Sequence, residues 1–180
     1  MLNDCFILAT GLGLDLINGI YMIVDFGAGK TSITTLQGLN IIQNDMPPVN
    51  GRGLDEVIKF YLRRQHHLDI SLKEAEKLKQ NQIDLSENAV DRRICISGFI
   101  KNTDIPKDVT LLSSELKRSI INEIDILSNR IIRHIENLEP FIQDKLKTGN
   151  IFLTGGSFKL KGLIDIIAAK IPVSHKSYQV

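Results

Sequence analysis

The segment that follows the apolar run at residues 20–24 has the residue types of a phosphate-binding turn. It reads Asp25-Phe26-Gly27-Ala28-Gly29. Glycines at the third and fifth positions let backbone N–H groups turn toward an anion without obstruction by a Cβ atom. Because Asp25 itself would repel a bare phosphate, the arrangement implies a bridging Mg²⁺ that the carboxylate holds directly or through water. The alternative is an ordinary hairpin turn that binds nothing.

The next residues also resemble the end of a P-loop. They read Gly29-Lys30-Thr31-Ser32. The P-loop consensus needs a glycine five residues before Gly29, and Val24 stands there. A P-loop also opens a helix, whereas residues 33–36 are Ile-Thr-Thr-Leu, which favours a strand. The pattern therefore predicts strand, turn and strand over this segment.

A second pair of glycines lies near the end of the chain, between a short apolar strand and a predicted helix. It reads Leu153-Thr154-Gly155-Gly156-Ser157. Paired glycines allow a flat ligand or a phosphate to approach closely, and a helix N-terminus favours an anion. An N-cap at Ser157 would explain the same residues equally well.

The remaining candidate residues give weaker signals. Charges in the polar segment that follows Ser71, notably Glu76 and Lys79, could line a binding site, although such charges usually face solvent. The histidines have no metal-ligand spacing and stand among polar residues, which predicts a surface position for His66, His67, His134 and His175. The cysteines form no CxxC pair, which predicts reduced, mostly buried thiols at Cys5 and Cys95.

Hydrophobic periodicity predicts a mixed α/β framework around these residues. The first predicted helix ends at Gly11, and the second covers 54–67. The third runs from Ser71 to about Gln80 and begins with a Ser71/Glu74 capping box. The fourth runs from Ser113 or Ser114 to about Leu138, and the last covers 160–170. Predicted strands cover 19–25, 32–36, 39–43, 93–100, 109–112 and 150–153, and a last one begins at Ile171. The remaining segments, among them 46–53 and 84–93, are predicted loops and turns.

Composition limits the class of protein. The chain has 180 residues, of which 43% are hydrophobic and 24% charged, enough for one compact domain or two small subdomains. A net charge of +1 gives no electrostatic footprint for nucleic acid. No apolar run reaches the roughly 18 residues of a membrane span, and no basic segment precedes an apolar one as in a signal peptide. We therefore expect a cytoplasmic protein without a membrane segment.

Taken together and in order, the motifs of this chain resemble the C-terminal half of the MreB/Mbl family of bacterial actin-like cell-shape proteins. The resembling segments cover 19–33, 50–58, 61–64, 74–79, 98–111 and 153–163. Chaperone ATPases and the cell-division protein FtsA share the two glycine turns. The segments Tyr61-Leu62-Arg63-Arg64 and Glu74-Ala75-Glu76-Lys77-Leu78-Lys79 favour MreB. The alternatives are another actin-superfamily ATPase or a non-enzymatic module that binds another subunit.

The resemblance implies roles for individual residues around the phosphates. Asp25 falls on the aspartate that holds the Mg²⁺-bound water, and Gly27, Ala28 and Gly29 fall on the loop around the β- and γ-phosphates. Asp4 falls on the catalytic glutamate, one methylene shorter. Thr31 matches the second of two threonines, whereas Lys30 replaces the first, which helps to position the attacking water in the family.

The resemblance also implies residues around the nucleoside. Lys79 falls on a lysine near the ribose and base. Gly155 and Gly156 match the adenosine loop, in which Ser157 replaces a third glycine. The implied cofactors of the complete protein are ATP and Mg²⁺.

The fold implied is α/β of the actin-like ATPase class, restricted to its second-half subdomains. Residues 1–52 with 112–180 would form the inner, sheet-containing subdomain, and residues 53–111 the smaller outer one. The implied partners are ATP or ADP, like subunits in a filament and, as one option, a separately encoded first half. Nothing in the sequence resembles the family's first phosphate loop, so we expect a fragment that is not a competent ATPase alone. The sequence leaves open whether the protein is an enzyme.

Overall fold

The computed structural model describes residues 4–171 and 174–177, with side chains described as far as residue 171. The helices are α1 (Asp4–Gly11), α2 (Gly51–Gln65), α3 (Leu72–Gln82), α4 (Ser113–Glu136), α5 (Pro140–Leu146) and α6 (Leu163–Lys170). A 3₁₀-helix covers Gly156–Lys159. The strands are β1 (Ile20–Phe26), β2 (Thr31–Gln37), β3 (Asn40–Asp45), β4 (Leu68–Asp69), β5 (Arg93–Ile100), β6 (Pro106–Leu112), β7 (Thr148–Thr154) and β8 (Ser174–Ser177).

The larger sheet sets the position of both glycine turns. Its strand order is β3-β2-β1-β7-β8. Strand β1 pairs antiparallel with β2 and parallel with β7, and in the parallel pair Asp25 lies beside Thr154. Because parallel strands end at the same edge of a sheet, the turns that follow β1 and β7 leave the sheet side by side.

The hairpin prediction for the first turn is confirmed, and the P-loop alternative is wrong. Strand β2 begins at Thr31, and Phe26 pairs with Thr31 across the turn. No helix begins at Lys30. The β-branched residues of β2 stabilise a strand, and its buried side is packed into the core.

Helices cover both faces of the larger sheet. On one face, Ile23, Leu36 and Phe152 pack with Cys5 and Ala9 of α1. On the other face, the inward side chains of β1, β2 and β7 join a hydrophobic core that extends through α2 and α4 to the smaller sheet, whose order is β4-β5-β6. This continuous core fixes the two sheets relative to each other, and the division into inner and outer subdomains stays a prediction.

The cap of the longest helix differs from the prediction. Helix α4 begins at Ser113 with Leu112 as its N-cap, so neither Ser113 nor Ser114 caps it. Instead, Asp91 accepts hydrogen bonds from the N–H of Ser114 (2.9 Å) and from the hydroxyls of both serines (2.8 and 2.9 Å). A carboxylate from a distant loop thus satisfies one of the free N–H groups and interacts favourably with the positive end of the helix.

Several boundaries differ from the predicted ones. The short strand β4 and helix α5 were not predicted; α5 starts with a proline, which suits the first position of a helix because its N–H is not needed there. Strand β6 already begins at Pro106. The last helix begins at Leu163, after the 3₁₀ turn, and Ile171 is its C-cap rather than the start of a strand. The next two residues lie outside the described part of the chain.

The structure corrects the predicted exposure of one histidine and one cysteine. His134 is buried, because Asp45 and Thr35 hydrogen-bond to its two ring nitrogens. His67 is exposed and His66 half-buried, whereas the side chain of His175 lies outside the described residues. Cys5 is buried but Cys95 is exposed, because it lies on the outward side of β5. None of the helices in the described part of the chain combines the length and the apolar composition that a membrane span requires.

Candidate functional site

The first glycine turn closes the β1–β2 hairpin. The N–H of Gly27 donates to the carbonyl oxygen of Lys30 (3.0 Å), and a Cβ atom on Gly27 would lie 2.8 Å from the same oxygen. Ala28 and Gly29 at the tip are exposed. Glycine at position 27 is therefore required for the tight turn, and the tip of the turn is accessible to a ligand.

The second glycine turn lies directly against the first. Gly155 has a φ of +101°, and a Cβ atom there would lie 2.5 Å from Asp25 Oδ1 and 2.6 Å from the carbonyl oxygen of Phe26. The hydroxyl of Ser157 donates to the carbonyl oxygen of Gly27 (3.1 Å). Ser157 is inside the 3₁₀-helix and does not cap it, so the N-cap explanation for this residue is wrong. The fold thus joins turns that are 130 residues apart.

The start of α2 fixes the hairpin turn from a third side. The N–H groups of Gly51 and Arg52 donate to the carbonyl oxygens of Gly27 (3.0 Å) and Ala28 (2.7 Å). A Cβ atom on Gly51 would lie 2.5 Å from Ser157 Oγ. The first turn of α2 therefore packs against both glycine turns.

A cavity of about 490 Å³ opens beside these turns, between α2, α3 and the 3₁₀-helix. Its lining residues are Ala28, Asp55, Glu76, Lys79, Gln80, Gly156, Ser157, Lys159 and Leu160. This volume falls in the range of small-molecule sites. The lining includes the predicted binding residues Ala28, Lys79, Gly156 and Ser157.

Lys79 is buried in the wall of this cavity. Its Nζ lies 2.7 Å from Asp55 Oδ1 and donates to the carbonyl oxygen of Gly51 (2.7 Å). Burial raises the pKa of the Asp55 carboxyl, while the Lys79 charge acts in the opposite direction. Helix charges usually face solvent, and Glu76 does so, but this expectation is wrong for Lys79. Sequence reasoning missed Asp55, which stands at the helix start that carries part of the resemblance.

Three charged groups meet on the other side of the hairpin turn. Asp4, the first residue of α1, has its Oδ2 2.7 Å from Lys30 Nζ, and this ammonium lowers the pKa of the Asp4 carboxyl. Burial raises the pKa of Asp25, with Lys30 and Asp4 shifting it by their charges in opposite directions. The structure therefore brings Asp4, Asp25 and the turn at Gly155 to one rim of the sheet.

The position of Thr31 does not favour a role in chemistry. Its side chain is buried, and its hydroxyl donates to the carbonyl oxygen of Val49 in the loop before α2. This hydrogen bond connects β2 to the segment that leads into α2. The catalytic assignment of Thr31 stays a prediction, and in the structure its hydroxyl stabilises the fold through this hydrogen bond.

The donors near the turn fit a magnesium ion held together with phosphate. In the described part of the chain, His, Cys, Asp and Glu form no group of three that could hold a metal alone. Mg²⁺ commonly uses one or two carboxylates, with water and phosphate oxygens completing its coordination. The half-buried carboxylate of Asp25, at the junction of both glycine turns, is suited to that role.

The chain matches a known family over nearly its whole length. The family model described as "MreB/Mbl protein" matches residues 1–178. The cell shape-determining protein Mbl of Bacillus subtilis is 24% identical over 166 residues, which are 92% of this chain and 50% of that protein. The cell shape-determining protein MreB of Escherichia coli K12 is 23% identical over 154 residues, 84% of this chain and 44% of that protein. The chain thus spans about half the length of the relatives it matches.

Solved structures agree with this match. MreB 5 of Spiroplasma citri bound to AMPPNP superposes with a TM-score of 0.84 at 22% identity, covering 94% of this chain and 51% of that one. The MamK double helical filament superposes with a TM-score of 0.75 at 20% identity, covering 97% and 53%. The fold is that of part of an actin-like protein. On the match of the family model, the chain belongs to the MreB/Mbl family.

Proposed function

We propose that this chain forms one wall of an ATP- or ADP-binding site in an actin-like, filament-forming cell-shape protein. The observation that carries the proposal is the packing of Gly155 against Asp25, which joins the two glycine turns beside one cavity. Two further facts support it: relatives are cell shape-determining proteins, and the Spiroplasma citri neighbours hold AMPPNP or ADP.

The position of each turn suggests which part of the nucleotide it would contact. Gly27, Ala28 and Gly29 would contact the β- and γ-phosphates from the exposed tip of the hairpin. The turn at Gly155 and Gly156 would lie against the adenosine side, next to the cavity. Bound Mg²⁺, held by Asp25, would neutralise phosphate charge.

The buried Lys79–Asp55 pair has a supporting place in this proposal. Because the Lys79 ammonium is already bonded to Asp55 and to the Gly51 carbonyl, it would shape the wall near the nucleoside rather than move toward the ligand. The pair also links α3 to the first turn of α2, which contacts both glycine turns.

Nucleotide binding can be tested by a charge change at a position where a side chain fits. A Cβ atom on Gly156 meets nothing within 4 Å, so Gly156→Asp and its neutral match Gly156→Asn can both be accommodated. Binding of a fluorescent ATP analogue is measured by anisotropy. Gly156 follows Gly155, which packs against Asp25 at the start of the hairpin turn proposed to hold the phosphates. We therefore expect the aspartate to weaken binding at least about tenfold through charge repulsion, and the asparagine to weaken it less than about threefold. Equal effects of the two variants would contradict the proposal.

Filament formation, a cytoplasmic location and a part in cell shape are proposed from the same family membership. Sedimentation of the chain with and without ATP tests the first of these. A nucleotide-dependent pellet is the expected result for a chain that assembles with like subunits. A chain that binds nucleotide but stays in the supernatant would restrict the proposal to binding.

A further inference from the structure

We propose that Lys30 is a phosphate-binding residue of this site, whose ammonium exchanges Asp4 for the terminal phosphate of the nucleotide and partly replaces the charge of Mg²⁺. This inference rests on the proposed nucleotide-binding function. It assigns to Lys30 a role that a threonine at this position could not perform, because a hydroxyl carries no charge.

The backbone presents Lys30 at the phosphate side of the hairpin. The residue follows Gly29 at the exposed tip, and its carbonyl oxygen is fixed by the N–H of Gly27 (3.0 Å). The side chain is 47% exposed and reaches Asp4 on α1. A fixed backbone with a half-exposed side chain allows the ammonium to reorient without a change in the fold.

The present partner of Lys30 is easily replaced. Asp4 is 69% exposed, and ion pairs between exposed side chains contribute little because water screens them. A terminal phosphate carries more negative charge than one carboxylate and offers several acceptor oxygens, so it competes well for the ammonium. Nucleotide binding therefore favours the exchange.

The local charge balance explains why this cation matters. Asp4 and Asp25 carry two negative charges near the turn, and Lys30 carries one positive charge within electrostatic reach of both. Without Lys30, the rim would repel a nucleotide unless a divalent cation were bound. With Lys30, part of that neutralisation is supplied by the chain itself, which predicts weak dependence of binding on Mg²⁺.

The test compares binding of a fluorescent ATP analogue in excess Mg²⁺ with binding in excess EDTA. For the unmodified chain we expect EDTA to weaken binding less than about threefold. In Lys30→Thr, replacing Mg²⁺ by EDTA should weaken binding about tenfold or more, which is the factor that one charge-assisted hydrogen bond typically contributes. Lys30→Arg keeps the charge and should retain the weak dependence. Asp4→Asn frees the ammonium and should tighten binding in EDTA about threefold.

Lys170→Thr is the matched control, since Lys170 forms a similarly exposed pair with Asp125 outside the cavity. It should behave like the unmodified chain, and urea midpoints check that every variant is folded. An equal effect of EDTA on the unmodified chain and Lys30→Thr would overturn the inference, while the Gly156 variants would still test the proposed function. Absence of binding in all variants and in the unmodified chain would contradict the proposed function itself.

Discussion

The Nζ of Lys79 lies 2.7 Å from Asp55 Oδ1, in the buried wall between α2 and α3. The same ammonium donates to the carbonyl oxygen of Gly51, whose N–H group donates to the hairpin turn at Gly27. Helix α3 is thus connected to the hairpin turn through the first turn of α2. An ion pair and two hydrogen bonds therefore link the cavity wall to the glycine turns.

Removal of the Asp55 charge should destabilise the chain strongly. Asp55→Asn leaves a buried ammonium without its counter-ion, which costs about 3 kcal/mol. Asp125→Asn removes the acid of an exposed pair and should cost less than about 0.5 kcal/mol. Urea denaturation measures both. Similar midpoints for the two variants would show that the buried pair adds no more than a surface pair.

Two adjacent glycines should respond differently to alanine. Gly155→Ala forces a side chain into a left-handed backbone and against Asp25 and Phe26, and we expect a loss of about 2 kcal/mol or more. Gly156→Ala adds a methyl group in open space and should change stability less than about 0.5 kcal/mol. Thermal denaturation of the pair is the measurement. Equal stability of the two variants would contradict the close packing of the turns.

Stability should depend on the ionisation of His134. Burial lowers its pKa below the ordinary 6.5, although Asp45 opposes this shift. A histidine with a depressed folded pKa stabilises the fold above its unfolded pKa. This stabilisation is lost as the pH falls from 6.5 through the folded pKa, because the unfolded chain takes up the proton more readily. We expect the urea midpoint to fall over this interval.

His134→Gln should flatten that pH profile, since glutamine does not titrate. His67→Gln is the control, because His67 is exposed and its replacement should leave the profile unchanged. The ring of His134 contacts Asp45 at 2.6 Å and Thr35 at 2.9 Å, so His134→Gln also lowers stability at neutral pH. A profile that keeps its slope in His134→Gln would assign the pH dependence to other groups.

Phosphate release from ATP and Mg²⁺ should stay near background for the purified chain. Asp4 is 69% exposed, so its carboxylate is solvated and is a weak base toward an attacking water. The hydroxyl of Thr31 already donates a hydrogen bond to the carbonyl oxygen of Val49. The assay is run alongside Asp25→Ala. Turnover in the unmodified chain that this variant abolishes would refute the expectation.

Features that depend on neighbouring residues could be predicted from the sequence. The capping box of α3 joins Ser71 to Glu74, and both of its hydrogen bonds lie within one helical turn. The β1–β2 hairpin follows from a buried apolar run, a glycine turn and β-branched residues in immediate succession. The family resemblance depends on short motifs of the same local kind.

Contacts between distant residues required the tertiary structure. Asp91 caps α4 from 23 residues away, and Asp45 reaches His134 across 89 residues. No local pattern distinguishes a histidine that packs against a sheet from one that faces water, so the surface prediction for His134 was wrong.

The candidate site also combines features that depend on neighbouring residues with contacts between distant ones. The residue pattern alone predicts that Asp25 ends a buried strand and that both glycine pairs follow such strands, because strand and turn propensities act over a few residues. The parallel pairing of β1 with β7, which places Gly155 against Asp25, is visible only in the folded chain. It also decided that Lys30 pairs with Asp4 and Lys79 with Asp55. The choice of partner for a charged side chain depends on which elements pack together, and that packing is determined by the burial of the whole core.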